Sequence, residues 1–345
     1  WTPPLVPVNI GYLEGRADRT RPGYISGDGS TIVGWATSVN GDSEAFRWVR
    51  DKGITGLGDI ISSRFQSEAM GCSHDGSLVY GTGRVYEGGI FVPQATWWDI
   101  NGTLEALDFL AGGKQWSTPV DCADTGTIIV GSGFTEDGAR TWRWDPDNGM
   151  VNIGTLPVGD GENSRENAPL ACSADGTLIA GLAYSPEHSL SVGPTSLWIW
   201  SEDTGFIEVA EAPGGPHTND APATFGSNAL VSDDLSTIVA QYSSGSGSGL
   251  LKWNAETGIE EMETAGKYVA IKDISANGGV VVGMMVDEND VAHAVLWGPD
   301  GKLIMLKEFL ENWGTPTGDH ELLSANAISG DGRVIAGAIN VKDIY

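Results

Sequence analysis

The chain has 345 residues, with 46 Asp or Glu against 19 Lys or Arg, which gives a net charge of −27 at pH 7. This charge argues against nucleic acid as a partner, because nucleic-acid binding requires a basic surface. No apolar run is long enough to span a membrane as a helix, and charged residues make up only 19% of the chain. We therefore expect a folded domain without a membrane span.

A short turn of the form Ser-x-Asp-Gly, followed by a small apolar run, recurs along the chain. Its seven copies begin at Ser26, Ser73, Ala123, Ser173, Ser232, Ser275 and Ser329. Successive copies are 43 to 59 residues apart, and a period of this length is typical of solenoids, propellers and arrays. The repeat therefore indicates the architecture more directly than any local pattern does.

The residue pattern of each repeat predicts four short strands, which we name A to D. Strand A precedes the turn, strand B is the apolar run, strand C ends at a Trp, and strand D follows a turn rich in Asp, Asn and Gly. The strand-C residues are Trp48, Trp98, Trp144, Trp200, Trp253 and Trp297. Short β-branched and aromatic runs between turn residues are typical of strands. No stretch keeps a period of 3.6 residues, so we expect little helix.

The seven turns are matched by only six strand-C Trp residues, and the missing one lies at the start of the chain. Trp1 matches a strand-C Trp, and Val6–Gly11 resembles the strand-D segment Val151–Gly154. We therefore predict an all-β fold, a single seven-bladed β-propeller of four-stranded blades over residues 1–345. Its last blade would combine residues 324–345 with residues 1–13, because ring closure removes exposed sheet edges.

Three cysteines occupy one equivalent position. Cys72, Cys122 and Cys172 each stand directly before the turn, where most other repeats have Ile or Val. Free Cys behaves in such a place as a small apolar residue. We predict that all three are buried and unpaired, and their spacing does not indicate a metal site.

The repeat resembles a bacterial extracellular family named for its His-Ala-Phe tripeptide. The similar segments are Glu44–Trp48 (EAFRW), His293–Trp297 (HAVLW), Gly149–Leu156 (GMVNIGTL) and the Ser-x-Asp-Gly runs. The resemblance covers essentially the whole chain. It implies a β-propeller and export, to the cell surface, the medium or the periplasm, and it brings no catalytic residues.

The order of the strands separates the connections into two faces. The A–B and C–D turns lie on one face, the turn face, and the B–C and D–A connections lie on the other, the loop face. The long irregular segments all fall on the loop face: Glu14–Gly23, Arg84–Gln94, Pro157–Ala168, Tyr184–Thr195, Glu211–Ser227 and Glu311–Ser324. Variable loops on a rigid scaffold are where binding usually occurs.

Basic residues, His and the Trp residues outside strand C concentrate on the predicted loop face. Arg grips planar anions through two hydrogen bonds, and exposed Trp rings anchor ligands. The predicted ligand-binding residues are Arg16, Arg19, Arg21, Trp35, Arg64, Trp116, His217, His293, Trp313 and His320. Their chemistry favours a carboxylate or sulfate ligand.

Two functions fit this face. The first is a secreted or cell-surface module that binds an anionic glycan or a surface protein. The second is a polysaccharide lyase, because β-elimination beside a uronate requires a cation, a base and an acid. Its candidate residues are Arg84, Tyr86, Arg140, Arg165, Tyr184 and His188. The sequence leaves open whether the protein is an enzyme.

No cofactor is expected, because the chain lacks a phosphate loop, a dinucleotide fingerprint and a nucleophile elbow. No metal site is predicted from ligand spacing. Ca²⁺ at the acidic stretches Asp160–Asn163 or Asp287–Asp290 stays an alternative, although neither completes an oxygen-ligand loop.

Overall fold

The computed structural model describes residues 8–14, 19–60, 66–87, 89–157, 166–184, 194–212, 224–244, 247–254, 256–266, 268–318 and 320–340. Strands dominate, and they occur in the predicted order A to D within each repeat. In this described part of the chain no helix is long and apolar enough to cross a membrane.

The A strands are β1 (Thr20–Ile25), β5 (Glu68–Cys72), β9 (Ser117–Cys122), β13 (Asn167–Cys172), β17 (Thr224–Val231), β21 (Tyr268–Ile274) and β25 (Glu321–Ile328). The B strands are β2 (Thr31–Thr37), β6 (Val79–Glu87), β10 (Ile129–Thr135), β14 (Leu178–Tyr184), β18 (Thr237–Ser244), β22 (Val281–Val286) and β26 (Ile335–Asn340).

The C strands are β3 (Ser43–Val49), β7 (Ile90–Trp98), β11 (Gly138–Asp145), β15 (Pro194–Ser201), β19 (Gly247–Asn254) and β23 (Ala292–Trp297). The D strands are β4 (Gly53–Gly58), β8 (Leu104–Ala106), β12 (Gly149–Asn152), β16 (Gly205–Glu211), β20 (Gly258–Met262) and β24 (Leu303–Met305). A helix, α1 (Leu306–Asn312), follows β24.

Strands A to D pair antiparallel in sequence order, so each repeat forms one sheet. Each A strand contacts the A strand of the next sheet, and β25 contacts β1. The seven A strands therefore surround a central axis as the inner strands of a β-propeller. Seven apolar clusters fill the spaces between neighbouring sheets, including the space between the last sheet and the first.

The number of blades differs from the prediction. Six sheets have four strands, whereas the seventh contains only β25 and β26. The expectation of seven four-stranded blades is therefore wrong for the described part of the chain, which has six. Residues 1–7 lie outside the described residues, and residues 8–14 form no strand. The physical reason is a turn there: the Gly11 amide donates to Asn9 Oδ1 at 2.9 Å, and Gly11 has a φ of +79°.

The N-terminal segment nevertheless contributes to the core. Leu13 is buried and packs in the same cluster as Ala327 and Ala336 of the seventh sheet, with Ile10 against it. Side chains of the first blade complete this cluster. The segment thus joins the two ends of the ring through packing.

The Ser-x-Asp-Gly turn is stabilised by its own side chains. In the first copy, Ser26 Oγ donates to Asp28 Oδ1 at 2.7 Å, and the same carboxylate oxygen accepts the Ser30 amide at 2.8 Å. The Thr31 amide donates back to Ser26 Oγ at 2.9 Å. The glycine adopts a positive φ, +71° at Gly29, which residues with a Cβ rarely adopt. These bonds explain why Ser, Asp and Gly recur together.

Backbone hydrogen bonds link the seven turns into a closed ring. An amide in each turn donates to a carbonyl in the next turn, and the last turn donates to the first. The donor–acceptor pairs are Asp28–His74, His74–Asp124, Asp124–Ala174, Ala174–Asp233, Asp233–Ala276, Ala276–Gly330 and Gly330–Gly27, at 2.8 to 3.1 Å.

Glycines in two of the B strands make room for buried Trp rings. A Cβ at Gly131 would overlap the indole of Trp142, and a Cβ at Gly181 would overlap that of Trp198. Both rings are fully buried. All six strand-C Trp residues lie in the predicted strand, but in these two blades the ring two positions earlier, on the same face of the strand, is the fully buried one.

The three cysteines are free, as predicted. Cys122 and Cys172 are buried, and Cys72 is half-buried. Burial raises the pKa of the Cys72 thiol to about 12 and raises the pKa of the other two thiols well above their usual value. The thiolate, which is the reactive form, is therefore scarce at neutral pH.

We expect Leu13→Ala to lower the free energy of unfolding by about 2–5 kcal/mol, the range for removing a buried Leu side chain. Denaturant unfolding measures this difference. The neighbouring Tyr12→Ala is the matched control, because Tyr12 is 49% exposed, and it should change stability by less than about 0.5 kcal/mol. Equal effects of the two variants would contradict the packing of the N-terminal segment.

We also expect thiol reagents at neutral pH to label the native protein very slowly, because burial raises the pKa of all three thiols. Three thiols should react rapidly after denaturation without reductant. A missing thiol in the denatured sample would indicate a disulfide and contradict the free state of the cysteines.

Candidate functional site

The structure describes only part of the predicted site. Arg16, Arg64, Arg165, His188 and His217 lie outside the described residues. The other predicted ligand-binding and catalytic residues can be placed, and most of them lie on or beside the loop face.

The first two blades bring two arginines and a Trp to this face. Arg21 is the second residue of β1, and its guanidinium carbon lies 5.3 Å from the centre of the Trp35 ring. Trp35 was expected on the loop face, and it lies inside β2, opposite Arg21 in the strand pair. Both Arg21 and Arg84 act electrostatically on the carboxylate of Glu68, the first residue of β5. Arg21, Glu68 and Arg84 are therefore close enough to form one charged group.

Blades two, three and four place large side chains at equivalent positions. In each of these blades one B-strand residue pairs with the strand-C Trp named above. Arg84, Phe134 and Tyr184 each lie five residues after that B-strand residue. Phe134 and Tyr184 lie at the loop-face ends of β10 and β14, whereas β6 continues three residues beyond Arg84. The adjacent blades thus present a basic and two aromatic side chains in a row.

Two aromatic pairs extend this row. The Tyr86 and Phe91 rings are 5.1 Å apart, and the Trp116 and Phe134 rings are 5.3 Å apart, both edge to face. Lys114 Nζ lies 5.5 Å from the centre of the Phe134 ring. We call Tyr86, Phe91, Trp116, Phe134 and Tyr184 the aromatic ridge.

The sequence analysis missed Phe91 and Phe134. Arg84–Gln94 was expected to be an irregular loop, but Val79–Glu87 and Ile90–Trp98 continue as a paired hairpin beyond the sheet. The extended strands place Tyr86 opposite Phe91. The signal was the short runs of β-branched and aromatic residues on both sides of a Gly pair.

Arg140 differs from the other predicted basic residues because it is only 4% exposed. Its guanidinium donates to the carbonyl oxygens of Ala139 and Asp137, at 2.9 and 3.2 Å. These bonds hold the hairpin between β10 and β11. The Arg140 guanidinium therefore stabilises this hairpin and is not exposed on the loop face.

The remaining predicted residues lie apart from the ridge. His293 Nε2 is 3.2 Å from Asp287 Oδ2, and Trp313 is half exposed beside Phe309 at the end of α1. His320 is half-buried, and its carbonyl accepts a hydrogen bond from Lys307. Arg19 is exposed just before β1.

The acidic stretch at Asp287–Asp290 forms a turn. Asp287 Oδ1 accepts the amides of Asn289 and Val291 at 2.8 and 2.9 Å. Asp160–Asn163 lies outside the described residues. No group of three His, Cys, Asp or Glu side chains among the residues with described positions is arranged to hold a metal ion.

The buried carboxylate of Asp59 lies beside the backbone of Arg84. Asp59 accepts the backbone amides of Ile60, Gln66 and Arg84, at 2.7, 2.7 and 3.1 Å. Desolvation raises the pKa of Asp59, and the amide bonds oppose this shift. The carboxylate fixes the backbone that carries Arg84.

Two inner strands carry equivalent half-buried aspartates. Asp121 Oδ1 accepts the Cys122 amide at 2.8 Å, and its Oδ2 accepts the Cys172 amide of the next blade at 2.9 Å. Asp121 thus ties the inner strands of blades three and four together. Desolvation raises its pKa to about 7.

Asp273 repeats this arrangement. Its Oδ1 accepts the Ile274 amide at 2.8 Å, and its Oδ2 accepts the Ile328 amide of the seventh sheet at 2.8 Å. Desolvation again raises the pKa to about 7. Tyr24, on β1, interacts electrostatically with Glu68, Asp273 and Asp121, so these side chains face a common axis. The sequence analysis missed them because nothing in the repeat marks this position.

The turn face is negatively charged, whereas the basic side chains of Arg84 and Lys114 lie beside the aromatic ridge. Hydrogen bonds from Ser173 and Thr177 lower the pKa of Asp175 to about 2. The equivalent Asp28, Asp75, Asp234 and Asp331 also have lowered pKa values. Five ionised aspartates therefore stand on the turn face at neutral pH.

Comparison with known proteins identifies the fold. No protein-family profile and no curated protein matches the sequence. Among solved structures, oligogalacturonate lyase from Vibrio parahaemolyticus matches with a TM-score of 0.56 and 14% identity, over 83% of this chain and 76% of that one. An oligogalacturonate lyase in complex with manganese matches with a TM-score of 0.55 and 14% identity, over 82% and 75%.

TolB from Acinetobacter baumannii matches with a TM-score of 0.50 and 13% identity, over 80% of this chain. The matched region spans 63% of the TolB chain. At these identities the similarities concern the β-propeller fold alone.

The two kinds of aspartate predict how stability changes with pH. Asp121 and Asp273 have a folded pKa of about 7, above the ordinary Asp value of 3.8, so their contribution to stability is fully present only below pH 3.8. This contribution is lost as the pH rises from about 4 to 7. The turn aspartates have lowered pKa values, so their contribution is lost as the pH falls below 3.8.

We therefore expect stability to be greatest near about pH 4 and to fall between about pH 4 and 7, from the combined linkage of these groups. Urea unfolding at successive pH values measures it. Asp273→Asn should reduce the loss of stability between about pH 4 and 7, whereas Asp331→Asn should not change that window. An identical slope in wild type and Asp273→Asn would contradict the assignment.

Proposed function

We propose that the protein binds an anionic glycan on its loop face, as a secreted or cell-surface module. The observation that carries this proposal is the alignment of basic and aromatic side chains on neighbouring blades. Arg84, Phe134 and Tyr184 occupy equivalent positions, and Trp116 and Lys114 flank Phe134. Aromatic faces stack on sugar rings, and cations beside them attract carboxylates or sulfates.

Electrostatics supports the choice of face. The chain carries a net charge of −27, so an anionic ligand is repelled by most of its surface. The ionised turn aspartates make this repulsion strong on the turn face. Arg21, Arg84 and Lys114 all lie at the loop face, where they lower the local cost of binding an anion.

We also propose that the protein is exported, because its repeat resembles the extracellular His-Ala-Phe repeat family. The free and buried cysteines agree with this location, because thiols that cannot pair are compatible with an oxidising compartment. Fractionation of the producing cell, followed by detection of the protein outside the cytoplasm, tests the location.

The second candidate function is lyase activity on a uronic-acid polysaccharide. The specific observation for it is that Arg84 and Tyr184 occupy equivalent ends of the B strands on one face, which would supply a cation and a phenol for β-elimination. Two of the solved structures with this fold are oligogalacturonate lyases. Release of unsaturated uronate products, followed by ultraviolet absorbance, separates a lyase from a binding module.

Binding of polygalacturonate and alginate oligosaccharides tests the proposal, by calorimetry at two salt concentrations. We expect Arg84→Ala and Trp116→Ala each to weaken binding by about tenfold or more. A hydrogen bond from Arg84 to a charged group contributes about 1.5–3 kcal/mol, and Trp116 provides the ring on which a sugar stacks. Arg84→Ala should also flatten the dependence on salt, since salt screens exposed charges.

Arg333→Ala is the matched control. Arg333 lies on the turn face, 3.7 Å from Asp331, and its removal should leave binding unchanged. Each variant should unfold at the wild-type denaturant concentration, within error. Unchanged affinity in Arg84→Ala and Trp116→Ala, or weaker binding in Arg333→Ala, would contradict the proposed face.

A further inference from the structure

A glutamate and an arginine of blade two lie side by side at the loop-face end of its sheet. Glu68 is the first residue of the inner strand β5, and its partner in the strand pair is Thr82 on β6. Arg84 lies two residues beyond Thr82, so it is on the same face of the sheet as Glu68. Such diagonal neighbours are about 7–8 Å apart, a distance that two long side chains can span. The register therefore brings the Glu68 carboxylate and the Arg84 guanidinium together.

Arg21 approaches the same carboxylate from blade one. It lies near the loop-face start of β1, the inner strand that contacts β5. Burial raises the pKa of Glu68, and attraction to Arg84, followed by attraction to Arg21, opposes this rise. Both guanidiniums therefore act on one carboxylate, from two neighbouring blades.

Both arginines are presented by fixed parts of the scaffold. The backbone amide of Arg84 donates to the carboxylate of Asp59 at 3.1 Å. The Arg21 guanidinium lies over the Trp35 ring, 5.3 Å from its centre, in a cation–π contact. A pair of guanidiniums held in this way suits the oxygens of a carboxylate or sulfate group. The cost of arranging them is met before a ligand arrives.

Glu68 interacts with this arginine pair only loosely. None of the ion pairs among the residues with described positions joins Glu68 to Arg21 or Arg84. Glu68 is also accessible to solvent, although its carboxylate is partly desolvated. Attraction between charges in contact with water is weak. An incoming anion can therefore replace Glu68 beside the two arginines at a small cost.

We propose that Glu68 is a specificity-determining residue, which occupies the arginine pair until an anionic ligand displaces it. A ligand carboxylate or sulfate gains both guanidiniums in exchange, whereas an uncharged sugar gains neither and leaves Glu68 in place. This inference rests on the proposed glycan function and makes it more specific. The acidic group of the glycan binds between blades one and two, and the aromatic ridge takes the sugar rings that follow.

The proposal predicts a gain of affinity when Glu68 loses its charge. Sodium sulfate is the probe, titrated at constant ionic strength against ¹⁵N-labelled protein. The signals are the Nε–H resonances of Arg21 and Arg84, assigned with Arg21→Lys and Arg84→Lys. We expect sulfate to shift both resonances, and Glu68→Gln to lower the dissociation constant about two- to fivefold, the scale of an exposed charge interaction. In an Arg84→Ala background the gain from Glu68→Gln should shrink, because the two side chains are coupled.

Glu105→Gln is the matched control. Glu105 is exposed on β8, the outer strand of the same blade, so the variant changes the net charge equally and should leave the sulfate affinity unchanged. Both variants should unfold at the wild-type denaturant concentration. Unchanged or weaker sulfate binding in Glu68→Gln, an equal gain in Glu105→Gln, or no sulfate shift at either arginine would overturn the inference.

Polygalacturonate binding by the same proteins separates this inference from the proposed function. Tighter sulfate binding in Glu68→Gln, without polygalacturonate binding in any variant, would contradict the glycan ligand and support the role of Glu68. Polygalacturonate binding that Glu68→Gln leaves unchanged would contradict the role of Glu68 and retain the proposed function.

Discussion

The fold depends on the ring of backbone hydrogen bonds that joins the seven Ser-x-Asp-Gly turns. Each bond connects two neighbouring sheets at their inner ends, and the bond from Gly330 to Gly27 connects the last repeat to the first. In six of the seven turns a Ser hydroxyl bonded to an Asp or Asn side chain holds the shape that presents the turn amide to the neighbour. Because these groups lie near the axis, an unpaired amide there would cost the free energy of its desolvation. The apolar clusters between the sheets pack around this closed ring.

Asp121 and Asp273 add a second set of bonds between inner strands, and they show how the scaffold tolerates charge near its axis. Each carboxylate accepts one amide of its own blade and one of the next. Burial nevertheless raises both pKa values to about 7, so desolvation outweighs these hydrogen bonds. The scaffold is thus fixed at the turn face and along the axis, and the loop face is free to vary. The aromatic ridge lies where this freedom exists.

The sequence predicts the repeated parts of the molecule well because repetition averages out local ambiguity. Seven copies of one turn define strands A and B, and the Trp landmarks define strand C. The seventh sheet is the exception. Val6–Gly11 resembles a strand-D segment, but the Asn9–Gly11 turn removes residues 8–14 from any strand. A residue pattern does not distinguish a strand from a segment that packs beside one.

The site is less predictable because it arises between repeats. Arg84 was identified by its type and its predicted face, whereas Phe134 became visible only through its register with Arg84 and Tyr184. Arg140 has the same residue type and the same predicted face as Arg84, yet its guanidinium is buried against its own hairpin. Burial of a long side chain depends on the neighbouring loop, and the repeat pattern does not encode it. Asp121 and Asp273 occur in only two repeats and so leave no periodic signal.

Hydrogen–deuterium exchange with and without a saturating polygalacturonate oligosaccharide tests the central claim most directly. The account predicts new protection in the β6–β7 hairpin, in residues 114–117 and at the end of β10, with the seven turns unchanged. New protection confined to the turns, or no change at the loop face despite measurable binding, would contradict it.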